Sequence, residues 1–223
     1  MSRSDVTRAV VELPPFSGNP IIRINDEASL QAKAVAATAI KKGDPVTPEN
    51  IRDLESFWPV DVHPDSGWLA YVVVGDAAYI AFDLRYNKQR TAELLGLADD
   101  YLEVVEAVMN RALRPAVDNL LSAAELTVQA QMLAESQETK FHHARDKWLR
   151  QDERMGNAPA GFFELLQRLR DERAAARYGD GHLSVSVDEM PALVARVRQM
   201  IAHAASRVGV EPIEGSGTDS PQS

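Results

Sequence analysis

Three arginines, Arg170, Arg173 and Arg177, recur at i, i+3 and i+7 in the run Leu165-Leu166-Gln167-Arg168-Leu169-Arg170-Asp171-Glu172-Arg173-Ala174-Ala175-Ala176-Arg177-Tyr178. On a helix that spacing sets three guanidinium groups along one stripe. The stripe starts where an apolar one, Phe162, Leu165, Leu166 and Leu169, ends. Such an arrangement suits a phosphate, because a planar guanidinium grips non-bridging oxygens bidentately and offsets the charge that develops in phosphodiester cleavage. An imidazole, His182, follows just past the helix exit Gly179-Asp180-Gly181. The same residues also describe solvated ion pairs of Arg170 and Arg173 with Asp171 or Glu172 on an exposed face, which would bind nothing.

Other chemistry-bearing residues are less well placed. His142 and His143 point about 100° apart on a helix, so the pair cannot converge on one metal, and His142 with Asp146 makes only a local surface pair. No metal site and no cofactor are expected. Asp99, Asp100 and Glu103 read as a solvated helix face. Trp148 reads as core, although an aromatic beside Lys147 and Arg150 can also stack a base. The chain has no cysteine, which excludes disulfides, zinc ribbons, iron–sulfur ligation and thiol catalysis, and fits a reducing compartment.

The net charge of −9 repels polyanions at long range and argues against a protein that coats duplex DNA. That charge is unevenly spread. Between Thr139 and Tyr178 nine basic residues face six acidic ones, so a local anion site is compatible with an acidic chain. The N-terminal apolar run Ala9-Val10-Val11 is too short for a secretory signal, and the most apolar stretch, Trp68 to Phe82, is interrupted by Gly75-Asp76. A soluble, cytoplasmic protein with no membrane partner is expected.

The elements that must position these residues change character near Asn87. Before it, Pro14-Pro15, Ser17-Gly18-Asn19-Pro20, Lys42-Gly43-Asp44-Pro45 and Pro64-Asp65-Ser66-Gly67 break the chain too often for long helices. Leu30 to Ile40 reads as a strand, and Thr47-Pro48 as the capped start of a short helix to about Ser56. Trp68 to Val74 and Ala77 to Leu84, parted by Gly75-Asp76, make a hairpin. In its second strand Ala78, Ile80, Phe82 and Leu84 share one face, and Tyr79, Ala81, Asp83 and Arg85 the other.

After Asn87 the period is helical. Five helices are expected: Asn87 (as cap) to about Asn110, Pro115 to about Ser136, Thr139 to Asp152, Gly161 to Tyr178, and one capped by Asp188. The tail Glu211 to Ser223 has the composition of a disordered segment.

Residues 82 to 203 resemble a HEPN domain, the helical bundle of many prokaryotic toxin, defence and RNA-processing proteins. The segments that carry the likeness are Ala116-Val117-Asp118-Asn119-Leu120-Leu121-Ser122-Ala123-Ala124-Glu125-Leu126-Thr127-Val128-Gln129-Ala130, Leu169 to Tyr178, and Phe82-Asp83-Leu84-Arg85-Tyr86-Asn87, in that family's order along the chain. The resemblance implies metal-free RNA cleavage across a symmetric dimer cleft. A His there serves the ribose 2′-hydroxyl as proton acceptor or positions the phosphate, and an Arg four to six residues before it stabilises the transition state. Arg177 and His182 fit that spacing. In a second alignment Arg173 matches the family Arg, Tyr178 a flanking residue, and Arg177 stands where His or Asp is usual. Glu125 and Gln129 match a Glu followed at the fourth position by Lys in many members, here with the charge lost. A weaker likeness links residues 39 to 51 to SAF or β-clip modules and carries no functional residue.

The expectation is therefore an α+β protein. A small β-rich region spans residues 1–86, a HEPN-like antiparallel bundle 87–208 and a disordered tail 209–223. Arg173, Arg177 and His182 are the candidate catalytic residues, and Arg170, Tyr178, Glu125 and Gln129 the candidate phosphate contacts. RNA or a nucleotide is the expected ligand, a second copy of the chain or an antitoxin-like protein the expected partner. The competing expectation is a non-catalytic, dimeric helical interaction module.

Overall fold

The change of hydrophobic period near Asn87 is a change of architecture. The computed structural model describes residues 5–16, 18–36, 51–137 and 142–209, and the fold is α+β, with antiparallel sheets first and five helices after. The chain divides into two units, Met1–Asn87 and Lys88–Ser223.

In the first unit, strands β1 (Arg8–Leu13), β2 (Ile21–Ile24), β5 (Gly67–Val74) and β6 (Ala77–Asp83) form one antiparallel sheet in the order β2-β1-β5-β6. The hairpin turns at Gly75-Asp76, where Gly75 takes the left-handed φ of +60° that a two-residue turn with glycine first requires. The expected alternation in β6 is present, and its buried side is the one bearing Tyr79 and Ala81, which pack with Val10, Phe57 and Ala70. Ile80 and Phe82 lie with Ile22, Ile24 and Leu69 on the exposed side. Glu12 is buried. Burial alone would raise its pKa, but the His63 backbone N–H and the Arg23 and Ser66 side chains outweigh that and hold it below the ordinary value.

A second, two-stranded sheet pairs β3 (Leu30–Ala36) with β4 (Ile51–Pro59). The strand expected from Leu30 is there. The short helix expected to about Ser56 is not, because Ile51 to Ser56 belong to β4; Thr47 to Asn50 and most of the β-clip-like segment lie outside the described residues. The register explains the misreading. Pairing jumps from Ser56 to Leu54 and from Asp53 to Ile51, so Glu55 and Arg52 are bulged out of the ladder. Two bulges convert the strand's two-residue period into inward positions at Ile51, Leu54 and Phe57, which imitates a helix.

In the second unit, α1 (Lys88–Val108) and α2 (Leu113–Ala134) form an antiparallel pair across a short loop, and α3 (His142–Arg154), α4 (Phe162–Asp171) and α5 (Met190–Val208) complete the bundle. Leu102, Val105, Val117, Leu120, Leu166, Leu169, Met190 and Met200 form a core without solvent exposure. Ala116, Ala123 and Ala124 keep that face of α2 low, so neighbouring helices approach closely.

Four ends differ from expectation. Asn87 stands at φ +49°, outside the extended region an N-cap adopts. The second helix starts two residues earlier than its proline, at Leu113. The fourth helix is interrupted after Asp171, as described below. Asp188 lies in a 3-10 turn, Val187–Glu189, and the cap before α5 is a reciprocal box between Ser186 and Glu189. The segments 139–141 and 211–223 of the expected third helix and tail lie outside the described residues.

Candidate functional site

The site begins with how α4 is fixed at both ends. Its apolar stripe, Phe162, Phe163, Leu165, Leu166 and Leu169, is buried. At its start Gly161 holds a left-handed φ of +89°, and the Phe163 N–H donates to Glu153 at 2.6 Å. At its end the helix loosens into a π-helical turn, Ala174–Tyr178, closed by Gly179 at φ +76° with its N–H on the Ala174 carbonyl. Wide turns of this kind interrupt helices where side chains must be re-aimed.

Two of the three arginines face α2. Arg170 donates to Glu125 at 3.1 Å and also to Asp146 of α3. Arg177 donates through both Nε and a terminal nitrogen to Asp118, each at 3.1 Å. Asp118 and Glu125 are seven residues apart on α2, as Arg170 and Arg177 are on the segment opposite, and the pairing runs antiparallel. The stripe therefore closes a seam of ion pairs between helices, part-buried at Arg170 and exposed at Arg177, with carboxylates of α2 and α3 taking the place expected of Asp171 and Glu172. Arg145 adds a fourth charge 3.6 Å from Glu125. Burial pushes the Arg145 guanidinium below its ordinary pKa, whereas the Asp118 hydrogen bonds raise that of Arg177.

Arg173 differs. It is half-buried and makes no hydrogen bond or ion pair among the described residues. Tyr178 is 66% exposed, and Gln129 sits half-buried one turn beyond Glu125.

His182 is exposed on another wall of this end of the bundle. It borders a groove of about 590 Å³ with Leu113, Arg114, Pro115, Ser184 and Ser186. Two tethers hold that loop. The buried Glu172 carboxylate accepts from the Ser184 N–H at 3.0 Å and from its hydroxyl. Arg114 donates to the carbonyls of Ala175 and Gly181, tying the π-turn to the start of α2.

The structure thus joins Arg170 to Glu125 and Arg177 to Asp118, leaves Arg173 without an ion pair among the described residues, and seats His182 in the Arg114–Ser184 groove. Asp118, Asp146, Arg114 and Glu172 escaped the sequence reading as functional positions. Only Asp118 and Glu125 carried a usable signal, the seven-residue spacing shared with Arg170 and Arg177. Chemically, the α4 exit offers one available guanidinium beside two neutralised ones, and an imidazole on an adjoining groove. Among the described residues no cluster of three or more His, Asp or Glu side chains could hold a metal, and no helix is long and apolar enough to cross a membrane.

No family model and no curated protein matches the chain.

Proposed function

We propose that the helical unit binds RNA or a nucleotide phosphate at the exit of α4, as a HEPN-like metal-independent endoribonuclease of a cytoplasmic toxin or defence system, acting as a homodimer. In this reading Arg173 holds a non-bridging phosphate oxygen. His182 accepts the proton of the ribose 2′-hydroxyl as that oxygen attacks phosphorus, the bond to the 5′-oxygen breaks, the 5′-oxygen takes a proton from water and leaves as a hydroxyl, and a cyclic phosphate end results. Arg170, Glu125 and Arg177 act one step back, by fixing the segment that carries Arg173. Tyr178 stands beside Arg177 at the α4 exit, whereas Gln129 lies beyond Glu125 on α2, away from that exit.

The observation that supports the reading is the contrast within the trio: Arg170 and Arg177 are neutralised by carboxylates, and Arg173 between them is not. The test is incubation of single-stranded RNA with purified protein in chelator. Products ending in cyclic phosphate, lost on Arg173→Ala and on His182→Ala, are expected. Cleavage that survives both substitutions refutes the assignment.

A second reading, a non-catalytic dimeric interaction module with an antitoxin-like or other protein partner, draws support from the seam itself, since two of the three cations are already used to hold helices together. Absence of RNA binding in a protein that sediments as a dimer would favour it.

A further inference from the structure

Helix α3 carries ten polar or charged side chains and sorts them by sign. Its carboxylates are all engaged within the bundle: Asp146 receives Arg170, Asp152 receives Arg207 and Asn157, and Glu153 receives the Phe163 N–H. Its exposed face is cationic. His143, Lys147, Arg150 and Arg154 stand at i, i+4, i+7 and i+11, a spacing that keeps them within about 60° of one another around the axis and spreads them over about 16 Å. They border, with Gln151, a groove of about 480 Å³ whose edge is Asp146. Lys147, Arg150 and Arg154 make no ion pair among the described residues, in a chain whose net charge is −9.

We infer that this face of α3 is a binding surface for the backbone of a single-stranded nucleic acid, separate from the phosphate position at Arg173. Three features favour this over an acidic protein partner. The stripe has no apolar residue, whereas the centre of a protein–protein interface is apolar and depleted in charge; nucleic-acid interfaces are polar and positive. Its length spans several phosphates of one strand, whose axial spacing is ~3.4 Å when the strand is stacked as in a duplex. The Arg150 guanidinium lies over the Phe163 ring, 4.3 Å from its centroid, a cation–π contact that holds it at the surface where a base can stack on it. The surface also leads toward Arg173, because Asp146 at its edge holds Arg170, one turn earlier on the chain.

This goes beyond the function proposed above, and the two are separable by experiment. A fluorescent single-stranded RNA twelve-mer is titrated with the full chain across a salt series, and the slope of log affinity against log salt is read. Three backbone contacts contribute a slope of about −2 on a single strand, so a fourfold rise in salt costs the wild type about 18-fold more affinity than the variant Lys147→Ala/Arg150→Ala/Arg154→Ala. Arg150→Lys with Arg154→Lys, which keeps the charge, is expected to keep the slope. All substituted side chains are exposed, and an unchanged helical circular dichroism spectrum verifies folding. An unchanged slope in the triple alanine variant overturns the inference, and if Arg173→Ala still abolishes binding the α4 reading survives alone. A flattened slope in the triple variant with no effect of Arg173→Ala leaves the α3 surface standing and removes the α4 reading. Competition by polyglutamate as effective as by unlabelled RNA overturns the assignment to nucleic acid.

Discussion

Arg170→Met separates a structural arginine from a ligand-binding one. The change keeps most of the side chain's volume and removes its charge, so what is lost is the pair of charge-assisted bonds to Glu125 and Asp146. Breaking a fully buried pair by deleting one partner costs about 3–5 kcal/mol, because the carboxylates left behind stay desolvated. Here the side chains of Glu125 and Asp146 retain 16% and 27% exposure, and Arg145 lies 3.6 Å from Glu125, so water and a second cation offset part of the loss. The expected destabilisation is about 2–3 kcal/mol, which for a unit of this size lowers the melting temperature by roughly 10 °C. Urea titration followed by circular dichroism measures it. The half-exposed Arg177–Asp118 pair serves as comparison, with Arg177→Met costing about 0.5–1 kcal/mol. A stability within 0.5 kcal/mol of wild type for Arg170→Met, with RNA or phosphate affinity lost, would refute the account of the seam.

Other consequences follow from the same geometry. Removing the Glu172 carboxylate with Glu172→Ala frees Ser184, so backbone amides of residues 180–186 should exchange with solvent at least tenfold faster while those of α2 do not; equal acceleration in both would mean that Glu172 supports the whole bundle. Gly161→Ala forces a side chain at φ +89° and sets its Cβ 3.0 Å from the Arg196 guanidinium, costing about 2 kcal/mol, against about 1 kcal/mol for Gly179→Ala, where the φ is similar and the space is open; thermal melts that rank them the other way would overturn this reasoning. The Ser186 N–H, its hydroxyl and Arg168 lower the Glu189 pKa from 4.5 to about 2. A carboxyl whose pKa is lower when folded contributes stability that is complete above 4.5 and lost as pH falls toward about 2. The start of α5 should therefore fray between those values in an NMR titration, a dependence that Glu189→Gln should abolish.

The residues that were legible in the sequence are those whose environment is local. The hairpin at Gly75-Asp76 needed only a turn and two apolar runs, and the helices needed only their repeat. The strand at Ile51 was illegible because its inward positions fall three apart, and nothing in the sequence alone announces that Glu55 and Arg52 are bulged. The break after Asp171 was hidden for a related reason: Arg-Ala-Ala-Ala-Arg is good helix sequence, and the π-turn is held by distant partners, Arg114 on the Ala175 and Gly181 carbonyls and Glu172 on Ser184.

The arginine stripe shows where the limit lies for the site. Spacing fixed that Arg170 and Arg177 would point the same way, and it left open what they would meet, because guanidinium groups accept a carboxylate and a phosphate with the same geometry. Their partners sit some fifty residues earlier on α2, and only packing brings that helix alongside. Once it does, Asp118 and Glu125 neutralise the outer two cations, and within the trio the charge available for a ligand is that of Arg173. An acidic chain that is to hold a polyanion needs its positive field concentrated and its carboxylates turned away from it. In α3 the sorting of Asp146, Asp152 and Glu153 toward the bundle does this within one helix. At the α4 exit it is done by pairing instead, so anion affinity there should follow Arg173 and stability should follow its two neighbours.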